Sequence, residues 1–150
     1  MANQPTANPT NENVESLDVL VMGGDPDVVK LFGEYVTLLP VAELGVKALN
    51  VDLAQEPETG KKYDIVVIDV GPADKKSLDY VWNFGELQEP YAEVIASTSA
   101  PKELVENQIL AHNASRVITH PITRDEFGAV FKSVVADHLE NLAYRAQALE

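Results

Sequence analysis

The sequence predicts a doubly wound α/β domain, with five parallel strands in the order 2-1-3-4-5, helices on both faces and an extended C-terminal helix. Three observations carry this expectation. Short apolar runs alternate with segments of helical periodicity along the whole chain, the pattern that builds a parallel sheet through right-handed crossovers. The run Ile65-Val66-Val67-Ile68-Asp69 holds no polar residue until its last position, as expected of a central strand buried on both faces. Gly71 and Pro72 stop it at once, leaving an acid at the carboxyl end of the sheet, where open α/β folds place their working groups.

The totals narrow the function classes. With 150 residues the chain is expected to form one domain with a core of its own. A formal net charge of −13 argues against nucleic acid and anionic membrane surfaces, both of which need cationic partners. There is no cysteine, hence no disulfide framework and no thiolate chemistry, as fits a cytoplasmic protein. No apolar run is long enough to span a bilayer and no basic-then-apolar leader opens the chain, so neither membrane insertion nor secretion is expected.

Residues 1–16 are mostly Asn, Pro, Thr and Glu and predict a flexible tail; the domain itself is placed at 17–140. Leu17 to Met22 is the first strand, ended by Gly23-Gly24. Asp25-Pro26 then starts a helix, with an acid at the N-cap and proline at the first helical position. Val28, Val29, Phe32, Tyr35, Val36 and Leu39 form its inner face, and Pro40 stops it. The next segment predicts a short strand near Ala42 to Val46 and a short helix at about Leu49 to Glu56. After the central strand, Asp74 caps a helix reaching about Leu87. Ala92 to Ser97 is the fourth strand, and a helix from Lys102 to about His112 follows Pro101. Ser115 to Thr119 is the fifth strand. Thr123-Arg124-Asp125-Glu126 is a capping box, in which hydroxyl and carboxylate satisfy reciprocal backbone amides. The apolar stripe Phe127, Val130, Phe131, Val134, Val135, His138, Leu139 and Leu142 marks the last helix, and residues 141–150 predict a helical extension or linker beyond the domain.

Four segments, in this order, resemble the receiver domains of response regulators. They are Leu20 to Asp27 for the first strand and acidic loop, Ile65 to Asp69 for the strand of the phosphorylated aspartate, Val94 to Ser99 for the hydroxyl switch, and Val117 to Ile122 for the lysine-proline segment. The resemblance implies a CheY-like fold, with Asp69 as phosphoacceptor equivalent, Thr98 as switch equivalent and His120 in place of the lysine. It also implies a cis bond at His120-Pro121. The departures bear on function. The acid pair that holds Mg²⁺ in such domains is replaced by Gly23 and Gly24, which leaves Asp25 and Asp69 in a degenerate pocket. Neutral imidazole brings no fixed positive charge, and Val117 has no ring to rotate. The expectation is therefore a pseudo-receiver that is not an enzyme, needs no cofactor and binds Mg²⁺ weakly or not at all.

Such a domain is expected to work through protein contacts, with a partner or as a homodimer, across the fourth helix, fifth strand and last helix. Lys102, Glu106, Asn113, Arg116, Arg124, Lys132 and Asp137 lie on those segments. The degenerate pocket and outgoing helix also resemble the N-terminal heads of CpaE/TadZ-type pilus-assembly proteins. Two other functions remain open at this point: a working phosphoacceptor using Asp69, and a small-ligand or nucleotide site at the Gly23-Gly24 turn. His112, His120 and His138 show no metal-ligand spacing, so no zinc site is expected.

Overall fold

Five apolar runs pair in register as one parallel sheet in the computed structural model, in the order β2-β1-β3-β4-β5. The strands are β1 (Ser16–Gly23), β2 (Ala48–Ala54), β3 (Ile65–Asp69), β4 (Glu93–Thr98) and β5 (Arg116–Thr119). The helices are α1 (Pro26–Thr37), α2 (Val41–Leu44) and α3 (Arg124–Ala148). The structure describes residues 16–23, 25–54, 63–72, 76, 79, 92–101, 103, 106–107, 109 and 114–148. Lys76 and Asp79 are helical, as are Glu103, Glu106, Asn107 and Ile109. The rest of the two helices expected at Asp74–Leu87 and Lys102–His112 lies outside the described residues, as do residues 1–15, Gly24 and Leu149.

The sheet separates two cores, which is what continuous apolar strands require. On one face, Val19, Val21, Ile65, Val67, Ile95 and Ile118 pack under Phe32 and Val36 of α1 and Phe127, Phe131 and Val135 of α3. On the other, Leu20, Met22, Val66, Ile68, Val94, Ala96 and Val117 meet Ile109 and Tyr63. Alternate residues of each strand thus serve opposite faces.

Local chemistry accounts for the helix ends. Asp25 Oδ1 accepts the Asp27 amide at 3.0 Å, and Pro26 opens α1 as expected. Both bonds of the capping box form, Glu126 N–H to Thr123 Oγ1 and Thr123 N–H to Glu126 Oε1, each at 3.1 Å. The backbone and side chain of Thr123 hold the fully exposed Glu126 carboxyl below its usual range.

The segment after α1 reverses the expected order. Residues 41–44 form one helical turn and the strand follows at Ala48–Ala54. Gly45 explains the first change: its left-handed φ of 81° ends the turn, a conformation glycine adopts without strain. The second follows from Leu49, Val51 and Leu53, which alternate with Asn50 and Asp52 at a period of two. α3 spans 25 residues, about 37 Å at 1.5 Å per residue. Its packing reaches further than residue 140. Asn141 Nδ2 donates to Glu93 Oε1 at 3.1 Å and Leu142 packs on the core, so the side chains leave the domain only at Tyr144, 63% exposed.

Candidate functional site

The carboxyl ends of β1, β3, β4 and β5 converge on Asp69. Register sets Gly23 beside it on β1 and Ser97 beside it on β4. A Cβ at position 23 would stand 2.9 Å from Asp69 Cβ, closer than real side chains come, so no acid fits there without moving the strand ends. Asp69 Oδ1 is crowded: it accepts from Ser97 Oγ at 2.9 Å and from the Gly71 amide at 3.2 Å, and His120 Nε2 lies 3.1 Å away. Only 7% of the Asp69 side chain is exposed, against 24% for His120.

His120 follows β5 and forms a cis bond with Pro121. Its ring stacks on Phe32 with centroids 5.7 Å apart, and Phe32 stacks in turn on Phe127 at 5.3 Å. The imidazole is therefore held between the α1 core and the carboxylate. Beside the pair lies an open cleft of about 440 Å³ lined by Asp25, Val28, Val70, Gly71, Pro72 and Ser99 with Asp69 and His120. Among these lining residues only His120 can carry positive charge.

The hydroxyl that reaches the acid is Ser97, whereas the switch position was expected at Thr98. Thr98 is fully buried, and its Oγ1 donates to the Gly71 carbonyl at 2.8 Å and accepts the Ala100 amide at 3.0 Å. It fastens the β3 turn to the β4 turn and does not touch Asp69. Strand register would have identified Ser97, but the run Ser97-Thr98-Ser99 offers three hydroxyls and no way to choose among them.

Several of the hard oxygens near Asp69 are already engaged within the protein. Mg²⁺ wants several such oxygens in octahedral array. Position 23 has no room for an acid, Asp25 is committed as a helix cap, and the nearer oxygen of Asp69 already has protein partners. No cluster of three or more His, Asp or Glu poised for a metal exists among the described residues.

The expected interaction residues divide between two surfaces. Arg116 of β5 pairs with Asp137 of α3 and also reaches Ser133 Oγ at 3.4 Å. Arg124 and Lys132 lie on the other flank of α3, lining a cleft with Leu38, Glu43 and Leu44. Helical geometry explains the division: residues 124, 128 and 132 recur every four positions on one flank, while 133 and 137 follow the next. Glu106 is half-buried in a helical stretch, and Lys102 and Asn113 lie outside the described residues.

Sequence reasoning missed a second constellation at the amino end of the sheet. His138, 1% exposed, places Nε2 3.0 Å from Asp64 Oδ1, and Asp64 Oδ2 accepts the Asp18 amide at 2.8 Å. Burial pushes the Asp64 carboxyl up, but the His138 hydrogen bond, the Asp18 amide and electrostatic attraction to His138 together hold it below its ordinary value of 3.8. The available signal was a histidine inside an otherwise apolar helical stripe.

No protein-family model and no curated protein matches the sequence. Solved structures do match. A CpaE pilus assembly candidate from Burkholderia thailandensis E264 superposes with a TM-score of 0.64 at 14% identity, covering 80% of this chain and 98% of that one. A pilus-assembly-related candidate from Burkholderia pseudomallei K96243 gives 0.60 at 14% identity, covering 80% and 90%. A response regulator from Thermotoga maritima gives 0.64 at 16% identity, covering 81% and 98%. The fold is that of the CheY-like receiver domains. No helix among the described residues is long and apolar enough to cross a membrane.

Proposed function

We propose that this receiver-fold chain is a pseudo-receiver, a non-enzymatic protein-interaction or localisation module that works without an aspartyl phosphate. The observation that carries this is the engagement of Asp69 Oδ1 within the protein. The side chain is 7% exposed, and this oxygen serves a serine hydroxyl, a backbone amide and an imidazole of the same chain. An acceptor carboxylate must instead meet a phosphodonor beside a metal ion that neutralises the transferring group. The glycine at position 23 leaves that ion without an adjacent acid, so Mg²⁺ binds weakly or not at all.

In this reading the chain acts at a pilus-assembly or signalling complex in the cytoplasm; likeness in fold to two pilus-assembly candidates supports the pilus-assembly setting. The partner surface in this reading is β5 with the flank of α3 that carries Ser133 and Asp137; it excludes Arg124 and Lys132, which face α2. Replacing Arg116 and Asp137 together is expected to weaken partner capture while leaving the Asp69 cleft unchanged.

The test is an amide NMR titration with Mg²⁺, followed by beryllofluoride as a mimic of the acyl phosphate. The expected result is no saturable shift at Gly71, Ser97, Thr98 or His120. Saturable shifts confined to those amides would make Asp69 a working acceptor and overturn the proposal.

A further inference from the structure

β2 is the exception among the strands. It stands at the edge of the sheet, paired among the described residues only with β1, and none of its seven residues is buried although five are apolar. It keeps regular register with β1 from end to end. Edge strands are normally protected by proline, charged side chains, a bulge, short length or a covering segment; the seven residues of β2 hold no proline, no bulge and one charge, Asp52, whereas β5 at the opposite edge is four residues long and starts with Arg116. Beside β2, Val51 and Leu53 floor an open groove of about 410 Å³ whose wall includes Lys30, Gly33 and Leu38 of the α1 side. Leu38 and Leu53 are 57% and 52% exposed.

The order of residues identifies the occupant. Ala48-Leu49-Asn50-Val51-Asp52-Leu53-Ala54 reads the same in both directions about Val51, except that Asn50 and Asp52 exchange. If two copies pair antiparallel about that centre, Val51 faces Val51, each Leu49 faces a Leu53, each Ala48 faces an Ala54, and each Asn50 faces an Asp52. Side chains then sort by face. Leu49 and Val51 pack toward the core under α1, and Leu53 lies against Gly33, where an added Cβ would come within 2.6 Å of it. The Val51–Val51 and Leu49–Leu53 pairs therefore meet on the α1 side, while Ala48 and Ala54 share the other face with the polar pairs. On the other face the polar pairs set an amide against a carboxylate, which avoids two like charges directly opposite. Asn50 already donates to Asp18 Oδ1 at 3.2 Å, and Tyr63 donates to Asp52 Oδ2 at 3.0 Å, so both side chains are held at the edge.

We propose that β2 is the interface of a symmetric homodimer, in which two copies pair antiparallel along Ala48–Ala54 and continue the sheet across a two-fold axis at Val51. The contact is isologous and closes on itself, so it yields a dimer and no fibre. It uses the edge opposite the proposed partner surface, and it stands or falls independently of the pseudo-receiver reading.

The chain has no cysteine, so single cysteines report register directly. Under mild oxidation Val51→Cys is expected to cross-link to itself, because facing Cβ atoms lie about 4.5–5.5 Å apart in such pairs. Leu49→Cys and Leu53→Cys are each expected to stay uncross-linked alone and to link when mixed. Sedimentation equilibrium of the unaltered chain should show a reversible dimer at or below about 1 mM, the weak end of specific association. Leu53→Lys, at a half-exposed position, should weaken it at least about tenfold, since the change occurs twice in a symmetric pair. A monomer throughout that range overturns the proposal. So does a dimer in which Val51→Cys links no faster than Leu53→Cys, since it would use another surface.

Discussion

Two Asp–His pairs bracket the central strand, and their distances barely differ. Asp64 meets His138 at 3.0 Å just before β3, and Asp69 meets His120 at 3.1 Å where β3 ends. What differs is which partner is enclosed. At the amino end the histidine side chain is sealed, 2% exposed, and the aspartate is 29% exposed; at the carboxyl end the aspartate is at 7% and the histidine at 24%. The first pair is a strut. Asp64 exchanges hydrogen bonds with Asp18 of β1, its carbonyl takes the Glu93 amide of β4, and His138 ties α3 to that junction. The second pair borders an open cleft and joins the ends of β3 and β5. Equal geometry thus serves packing at one end of the strand and a surface at the other, and burial of the basic partner separates the two.

The largest expected effect is at the strut. His138→Ala leaves a cavity and an aspartate without its partner, and should cost about 3 kcal/mol in urea unfolding. Gly23→Asp comes next. The new side chain collides with Asp69, so a loss of about 2 kcal/mol is expected from the strain, with no gain in Mg²⁺ affinity by calorimetry. His120→Ala should cost only about 1 kcal/mol, since the ring is partly exposed and Asp69 keeps its Ser97 and Gly71 partners when the imidazole and its stacking contact are lost. If His120→Ala proved as damaging as His138→Ala, the contrast between strut and surface would collapse. The smallest effect is expected in acid, because burial opposes the hydrogen bonds at Asp64. Its folded-state carboxyl stays charged below the ordinary value of 3.8, while the unfolded chain takes up the proton. This contribution is whole above that value and is lost as pH falls through the lower folded-state pKa. Denaturation midpoints followed from about pH 5 to pH 2 should fall less steeply for Asp64→Asn than for the unaltered chain.

Strand identity was legible wherever both faces are buried, because Ile65-Val66-Val67-Ile68 permits little else. The same logic failed at β2. An edge strand in which Val51 is the one β-branched residue among Ala, Leu, Asn and Asp has weak β propensity, and its alternation competes with a helical interpretation of the same leucines. The cap at Asp25 and the capping box at Thr123 were legible because each is a local contact. Ser97 was not, since choosing it over Thr98 requires the register between β3 and β4. Nor was the division of Arg116 and Asp137 from Arg124 and Lys132, which depends on how α3 is rotated about its axis. His138 was visible only as a position in a stripe; its partner Asp64 lies 74 residues away.

The stacked rings behind the cleft have a spectroscopic consequence. His120, Phe32, Phe127 and Phe131 stand in sequence with successive centroids 5.7, 5.3 and 6.0 Å apart. Circulating π-electrons in Phe32 shift the magnetic resonances of the imidazole carbon-bound protons according to their position over its face. Any ligand or partner that tilts His120 therefore moves those signals without an added label, and a displacement passed along the column reaches the first turns of α3 as correlated changes in the Phe127 and Phe131 ring protons. The molecule carries its own optical-bench alignment mark for the cleft.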